Sequence, residues 1–154
     1  MSKGKNNGKF YEGIKNETFY SREEILSRIS DDYILGLIEG ESHFGADTRR
    51  DGLKVPQFVL KMHFRDKEMI EAVRDYFSIH NLVYEYRHQG RHSAMLIIRD
   101  LPTLKNKIVP LCKNRLLGFK GTQFDWWLKK FPYLNSLIYR DRTANFKVSQ
   151  QTVR

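Results

Sequence analysis

The stretch ILGLIEGESHF, residues 34–44, carries two acids, Glu39 and Glu41, one glycine apart at the end of an apolar, helix-like run. A carboxylate at a helix C-terminus is opposed by the helix dipole, so another group should be stabilising Glu41 there. Gly36 and Gly40 lie four residues apart and therefore share one stripe of the helix surface. Each costs up to about 1 kcal/mol of helix propensity relative to alanine, a cost that makes sense where another backbone comes very close. Two accounts compete. Either the glycines accommodate packing inside the chain, or the stripe meets the same helix of a second copy across a two-fold axis. In the second case two Glu41 carboxylates approach the axis and repel each other, which calls for a cation. Hard divalent ions take carboxylate and carbonyl oxygens and leave coordination positions for water and phosphate. Beneath a basic groove, that arrangement is what phosphodiester hydrolysis requires.

The composition supplies the groove. With 154 residues the chain has room for one domain with a real core and hardly for two. A hydrophobic content of 40% and an aromatic content of 13% set it apart from disordered chains. The net charge is +9 and the pI about 9.7, a balance that in a folded chain points to a polyanion. Nucleic acid fits better than a membrane surface, because basic and aromatic residues interleave through the middle of the chain. Cys112 is the single cysteine, so neither an intramolecular disulfide nor a cysteine-based zinc site can form. The N-terminal MSKGKNNGKFYEG has no apolar h-region, and no run approaches the roughly 18 apolar residues of a membrane span. The expectation is a soluble intracellular protein, with an organelle and a prokaryotic cytoplasm equally open.

Residues 1–20 are rich in Lys, Asn and Gly and read as a flexible basic arm, residues 21–140 as a single domain, and residues 141–154 as a polar tail. Ser21 and Glu24 are spaced as a capping box for a first helix, and Ser30 and Asp31 offer caps for a second through DDYILGLIEG. The pattern then alternates. Residues 43–50 place His43, Asp47 and Arg49 on one side, and Asp51-Gly52 signals a hairpin turn. Over 54–65, Phe58, Leu60, Met62 and Phe64 form an apolar face against Gln57, Lys61, His63 and Arg65. Asp66 caps a helix through KEMIEAVRDYFSIH, whose apolar stripe reads as core. A second hairpin, LVYEYRH and HSAMLIIR around Gln89-Gly90, leads to a helix begun by Asp100 and Pro102. GFKGTQFDWWLKKFPYLNSLIYR reads as one helix broken at Pro132 and continued after it. The order is α+β: an antiparallel sheet with helices on one face and an exposed basic face suited to the DNA major groove.

At this point ILGLIEGESHF resembles the motif that names the LAGLIDADG homing endonucleases, with Gly36, Glu39, Gly40 and Glu41 in register. GFKGTQF resembles the lysine-bearing segment that in this family follows the proline-bearing IVPLC helix. The resemblance covers roughly residues 30–130 and implies an αββαββα fold with a saddle-shaped antiparallel sheet. One motif in the chain implies the homodimeric branch, with Tyr33, Gly36, Leu37 and Gly40 at the dimer interface. It further implies Glu41 as a metal-ligating acid helped by the Gly40 carbonyl, with Mg²⁺ or another divalent cation such as Mn²⁺ or Ca²⁺ in the site. Lys120 would stand near the scissile phosphate, and Asp66, besides capping its helix, matches a water-ordering position. Base and backbone contacts fall to His43, Asp47, Arg49, Arg50, Gln57, Lys61, His63, Arg65, Glu85, Arg87 and Arg91. The implied partner is double-stranded DNA with a long, pseudo-palindromic target.

Two residues depart from the pattern. Glu41 stands where the family usually has aspartate, and Ser42 replaces the final glycine; activity is expected, while the longer side chain leaves metal position and rate open. His43 and His63 read as DNA contacts, since no third metal ligand is in view. A sequence-specific endonuclease is therefore the first reading. The alternative is a non-cleaving nucleic-acid binder on the same scaffold, an intron-splicing maturase or a repressor, which would need neither Glu41 nor Lys120.

Overall fold

A computed structural model describes residues 20–135. The basic arm expected before Tyr20, the polar tail over 141–154 and the helical continuation past Asn135 lie outside the described residues. The observed order is α1 (Arg22–Arg28), α2 (Asp31–Glu41), β1 (Ser42–Thr48), β2 (Lys54–His63), α3 (Lys67–Tyr76), β3 (Val83–His88) and β4 (Arg91–Ile98). α4 (Leu101–Thr103), a π-helical stretch Leu104–Ile108 and α5 (Val109–Cys112) follow without a break, and α6 (Phe119–Lys130) precedes a 3-10 turn at Pro132–Leu134. The expected succession of helix, strand pair, helix, strand pair and helices is the one found.

Local chemistry sets most of the boundaries. Ser21 and Glu24 exchange both bonds of the capping box, and the Ser30 hydroxyl accepts from the Tyr33 N–H. The Asp100 carboxylate accepts from the Thr103 N–H at 3.0 Å. Asp66 differs from expectation: it occupies the N-cap position of α3 but makes no capping bond, and its carboxylate lies 3.9 Å from Arg65. β1 stops at Thr48 because Gly52, at φ +83°, closes a turn in which its N–H donates to the Arg49 carbonyl. β2 ends at His63 rather than Arg65. The His63 Nδ1 accepts from the Arg65 N–H at 3.1 Å, and the chain coils into a 3-10 turn over Phe64–Asp66. Phe64 thereby leaves the strand itself but stays on its helix-covered side, stacked on His92 with ring centroids 3.9 Å apart. α3 ends four residues short of His80, since Ser78 adopts φ 53° and Lys107 donates to the Phe77 and Ser78 carbonyls. Pro110 has no N–H to give the Asn106 carbonyl, and the turn before it widens to π geometry.

The four strands pair antiparallel in the order β1-β2-β4-β3. Register sets Phe44 opposite Phe58, Phe58 opposite Ile98, and Leu60 opposite Leu96, so one face of the sheet is apolar. That face is buried under Ile34, Leu35 and Ile38 of α2, Ile70 and Val73 of α3, Leu104 and Ile108, and Phe124 and Trp127 of α6. The Phe44 ring packs 5.5 Å from Phe58 and 5.2 Å from both Phe124 and Trp127. Trp127 also donates its indole N–H to the Gly45 carbonyl at 2.8 Å, tying α6 to the edge strand. Burial of this kind contributes on the order of 1.5–3 kcal/mol for each large side chain. Among the described residues, helices cover one face only and the opposite face of the sheet is open. None of the described helices is long and apolar enough to cross a membrane.

Candidate functional site

The site begins at the end of α2. Ile34, Leu35 and Ile38 bury one side of this helix, while Tyr33, Gly36 and Gly40 are exposed on another and Leu37 is partly buried. A Cβ added at Gly36 or Gly40 would meet nothing within 4 Å. Packing among the described residues therefore does not require either glycine.

The two acids have different surroundings. Glu39 accepts from the backbone N–H groups of Leu117 and Gly118, the latter at 3.1 and 3.2 Å, in the loop that enters α6. Glu41 is exposed and has no hydrogen-bond or ion-pair partner among the described residues. Lys120, in the first turn of α6, donates from Nζ to the Ser42 carbonyl, the residue after Glu41. An ammonium at this end of α2 offsets the helix dipole, worth roughly 0.3–1 kcal/mol. Serine at position 42 fits its buried place because its hydroxyl donates to the Ile38 carbonyl at 2.7 Å. Lys120 is thus held at the residue that follows Glu41, with no ion pair to the Glu41 carboxylate among the described residues. Asp66, in the turn after β2, has no described contact with either. Among the described residues no three His, Cys, Asp or Glu side chains gather into a metal cluster. One chain offers a metal the free Glu41 carboxylate and the unpaired carbonyls of a helix end, all hard oxygen donors suited to Mg²⁺. Cys112 is buried in the core, and burial pushes its thiol up to about 12, which removes it from chemistry.

The open face of the sheet carries the remaining candidates. Strand alternation and register place His43, Asp47, Gln57, Lys61, His63 and Arg91 on it, as expected. His43 lies across Gly45, where an added Cβ would stand 2.6 Å from the imidazole Nε2. Arg49 and Arg50 belong to the β1–β2 loop rather than the strand, with Arg49 3.4 Å from Asp51, and Arg65 belongs to the turn after β2. Glu85 and Arg87 correct the expectation outright. Glu85 stands opposite Ala94 and Arg87 opposite His92, in phase with Val83 and hence on the helix-covered side. There Glu85 is bonded by Lys67 of α3 at 3.0 Å, which lowers its carboxyl below the usual range, and Arg87 donates to the His92 imidazole at 3.2 Å. The open face of β3 instead shows Tyr84 and Tyr86, 50% and 44% exposed, with the Lys61 ammonium 5.8 Å from the Tyr86 ring. Charge misled the assignment of this edge strand, whereas its one β-branched residue, Val83, marks the core phase. Arg99 was also missed. It follows β4 in phase with Arg91, and its Nε lies 3.1 Å from Gln57 Oε1 and 3.2 Å from Asp47 Oδ2.

No protein-family model matches the chain, and no curated protein sequence matches it significantly. Solved structures do. The LAGLIDADG homing endonuclease I-GzeII in complex with its DNA target matches with a TM-score of 0.58 and 22% identity over 69% of this chain. I-LtrWI, bound to target DNA, matches with a TM-score of 0.57 and 24% identity over 73% of this chain. The homing endonuclease I-TnaI matches with a TM-score of 0.54 and 24% identity over 69%. This chain spans 36% and 38% of the first two proteins and 78% of the third. An open antiparallel sheet backed by helices, with a glycine-bearing helix ending in a free acid, is the LAGLIDADG homing endonuclease fold.

Proposed function

We propose that the protein is a sequence-specific, divalent-metal-dependent DNA endonuclease whose site is completed by two copies of the chain. The observation that carries this reading is the unpartnered Glu41 carboxylate at the end of α2, beside Lys120 and at the start of the first strand of an open, basic sheet. The exposed Tyr33, Gly36 and Gly40, with the partly buried Leu37 beside them, let α2 pack against its own copy, which brings one Glu41 from each chain to a shared centre. Glu41 and the Gly40 carbonyl would hold the metal, for which Mg²⁺ is the first choice and Mn²⁺ or Ca²⁺ the substitutes. When bound, such an ion activates water and neutralises developing charge on phosphate. Lys120, fixed on the Ser42 carbonyl, presents its ammonium where a scissile phosphate would meet the end of the helix. The open face binds a duplex through the major groove, and a two-fold arrangement of two such faces fits a long, pseudo-palindromic target. Asp66 has only a positioning role in this scheme, at the margin of the face.

Cleavage of a randomised DNA library with Mg²⁺, comparing wild type with Glu41→Gln, tests the reading. The wild type is expected to cut, and Glu41→Gln to bind the same sites with cleavage lowered at least 100-fold. Tight, specific binding by the wild type without cleavage at any metal concentration would leave the non-cleaving binder, a maturase or repressor, in its place. A sedimentation mass of one subunit on a bound target would remove the shared centre.

A further inference from the structure

Arg99 has an arrangement that sets it apart from the other cations of the open face. Lys61 and Arg91 stand on single strands, while Arg99 reaches across three. Its Nε is shared between Gln57 Oε1 on β2 at 3.1 Å and Asp47 Oδ2 on β1 at 3.2 Å. Asp47 is itself held, since its Oδ1 accepts from the Thr48 N–H at 2.9 Å. The hydrogen bond to Gln57 and the ion pair with Asp47 both fall on Nε, so the two terminal nitrogens keep their donors free while the plane of the group is fixed. Its side chain is half exposed. A planar guanidinium held from behind in this way is prepared to give two parallel hydrogen bonds with little further loss of side-chain freedom.

We infer that Arg99 is a specificity-determining residue that reads guanine through O6 and N7 in the major groove, and that Asp47 and Gln57 serve as its buttress rather than as base readers. The inference rests on the DNA-binding reading above. The chemistry follows from the donor pattern. Guanine is the one base that offers two acceptors side by side in the major groove, and a bidentate arginine matches them. Asp47, engaged by Arg99 and by the Thr48 N–H, is a poor acceptor for cytosine. Gln57 gives one lone pair of its amide oxygen to Arg99, which turns the amide toward the guanidinium rather than leaving it free to align on adenine.

The test is selection of bound DNA from a random library with the full chain, for wild type, Arg99→Ala, Arg99→Lys and Asp47→Ala, each first matched for thermal denaturation. The wild type should show guanine at one position of each half-site. Arg99→Ala and Arg99→Lys should both lose that preference by roughly tenfold or more while other positions are unchanged. The lysine variant keeps the charge without the fork, so it should also keep the salt dependence of binding. Asp47→Ala should weaken the same guanine preference without installing a different base. Three results overturn the inference: an unchanged base profile in Arg99→Ala, full guanine preference in Arg99→Lys, or loss of a cytosine preference in Asp47→Ala. Absence of any selected sequence with wild type would remove the DNA-binding reading itself, a failure distinct from these.

Discussion

Glu39 and Glu41 stand two positions apart on α2, so about 200° of helical rotation separates their side chains. That rotation turns Glu39 toward the loop entering α6 and leaves Glu41 at the free end of the helix. The motif's first acid is therefore a structural clamp: a carboxylate holding two backbone N–H groups, where bonds to a charged acceptor contribute roughly 1.5–3 kcal/mol when buried and less at this partly exposed site. Gly118 is the glycine this clamp depends on, since an added Cβ would stand 2.8 Å from Glu39 Oε2. Gly118→Ala is expected to destabilise the chain by about 1–2 kcal/mol, because the carboxylate must withdraw and give up its bonds. In a Glu39→Ala background the same substitution should cost close to nothing. A double-mutant cycle by chemical denaturation measures the coupling, and equal costs in both backgrounds would show that the clamp is not the reason for the glycine.

At the scale of the element, α2 carries its glycines on a surface that the described chain leaves uncovered. Gly36→Ala is expected to leave the isolated chain as stable as before or up to about 1 kcal/mol more stable, since alanine is the better helix former. The same methyl group should weaken association of two copies, because it keeps the backbones apart. Thermal denaturation at a concentration where the chain is monomeric, set beside sedimentation velocity over a dilution series, separates the two effects. A destabilised monomer, or an unaltered dimer, would sink the assignment of this stripe to a second copy. The helix and its caps were legible in the sequence because Ser21, Ser30 and Asp100 act on amides three residues away. Both hairpins were legible as well, through Asp51-Gly52 and Gln89-Gly90, with Gly52, Gln89 and Gly90 all at positive φ. β3 was not, because an edge strand lets Glu85 and Arg87 reach partners on the helix side while two tyrosines, amphipathic by nature, take the open face. Nor was the clamp on Glu39, whose partners Leu117 and Gly118 are 78 and 79 residues away and act through backbone groups that side-chain identity does not announce.

For the whole molecule, the net charge of +9 matters by where it sits. Arg50, in the exposed β1–β2 loop, has no ionic partner among the described residues and extends the open face at its rim. Lys129 lies exposed near the end of α6, in the layer of helices behind the sheet. Each phosphate neutralised by a protein cation releases counterions, and the slope of log K against log salt changes by about 0.9 per contact on duplex DNA. If two copies bind together, Arg50→Ala removes two contacts at once. The slope for a selected target should then become shallower by about 1.8 per bound complex, twice the single-contact value, with the base profile unaltered. Lys129→Ala should leave both slope and profile where they were. Titrations of a labelled target between low and moderate salt read the slope directly. A change near 0.9 would indicate one loop contact per complex, against a symmetric pair. Equal changes for Arg50→Ala and Lys129→Ala would mean that the basic charge acts as a diffuse cloud and that the open face of the sheet is not where DNA lies.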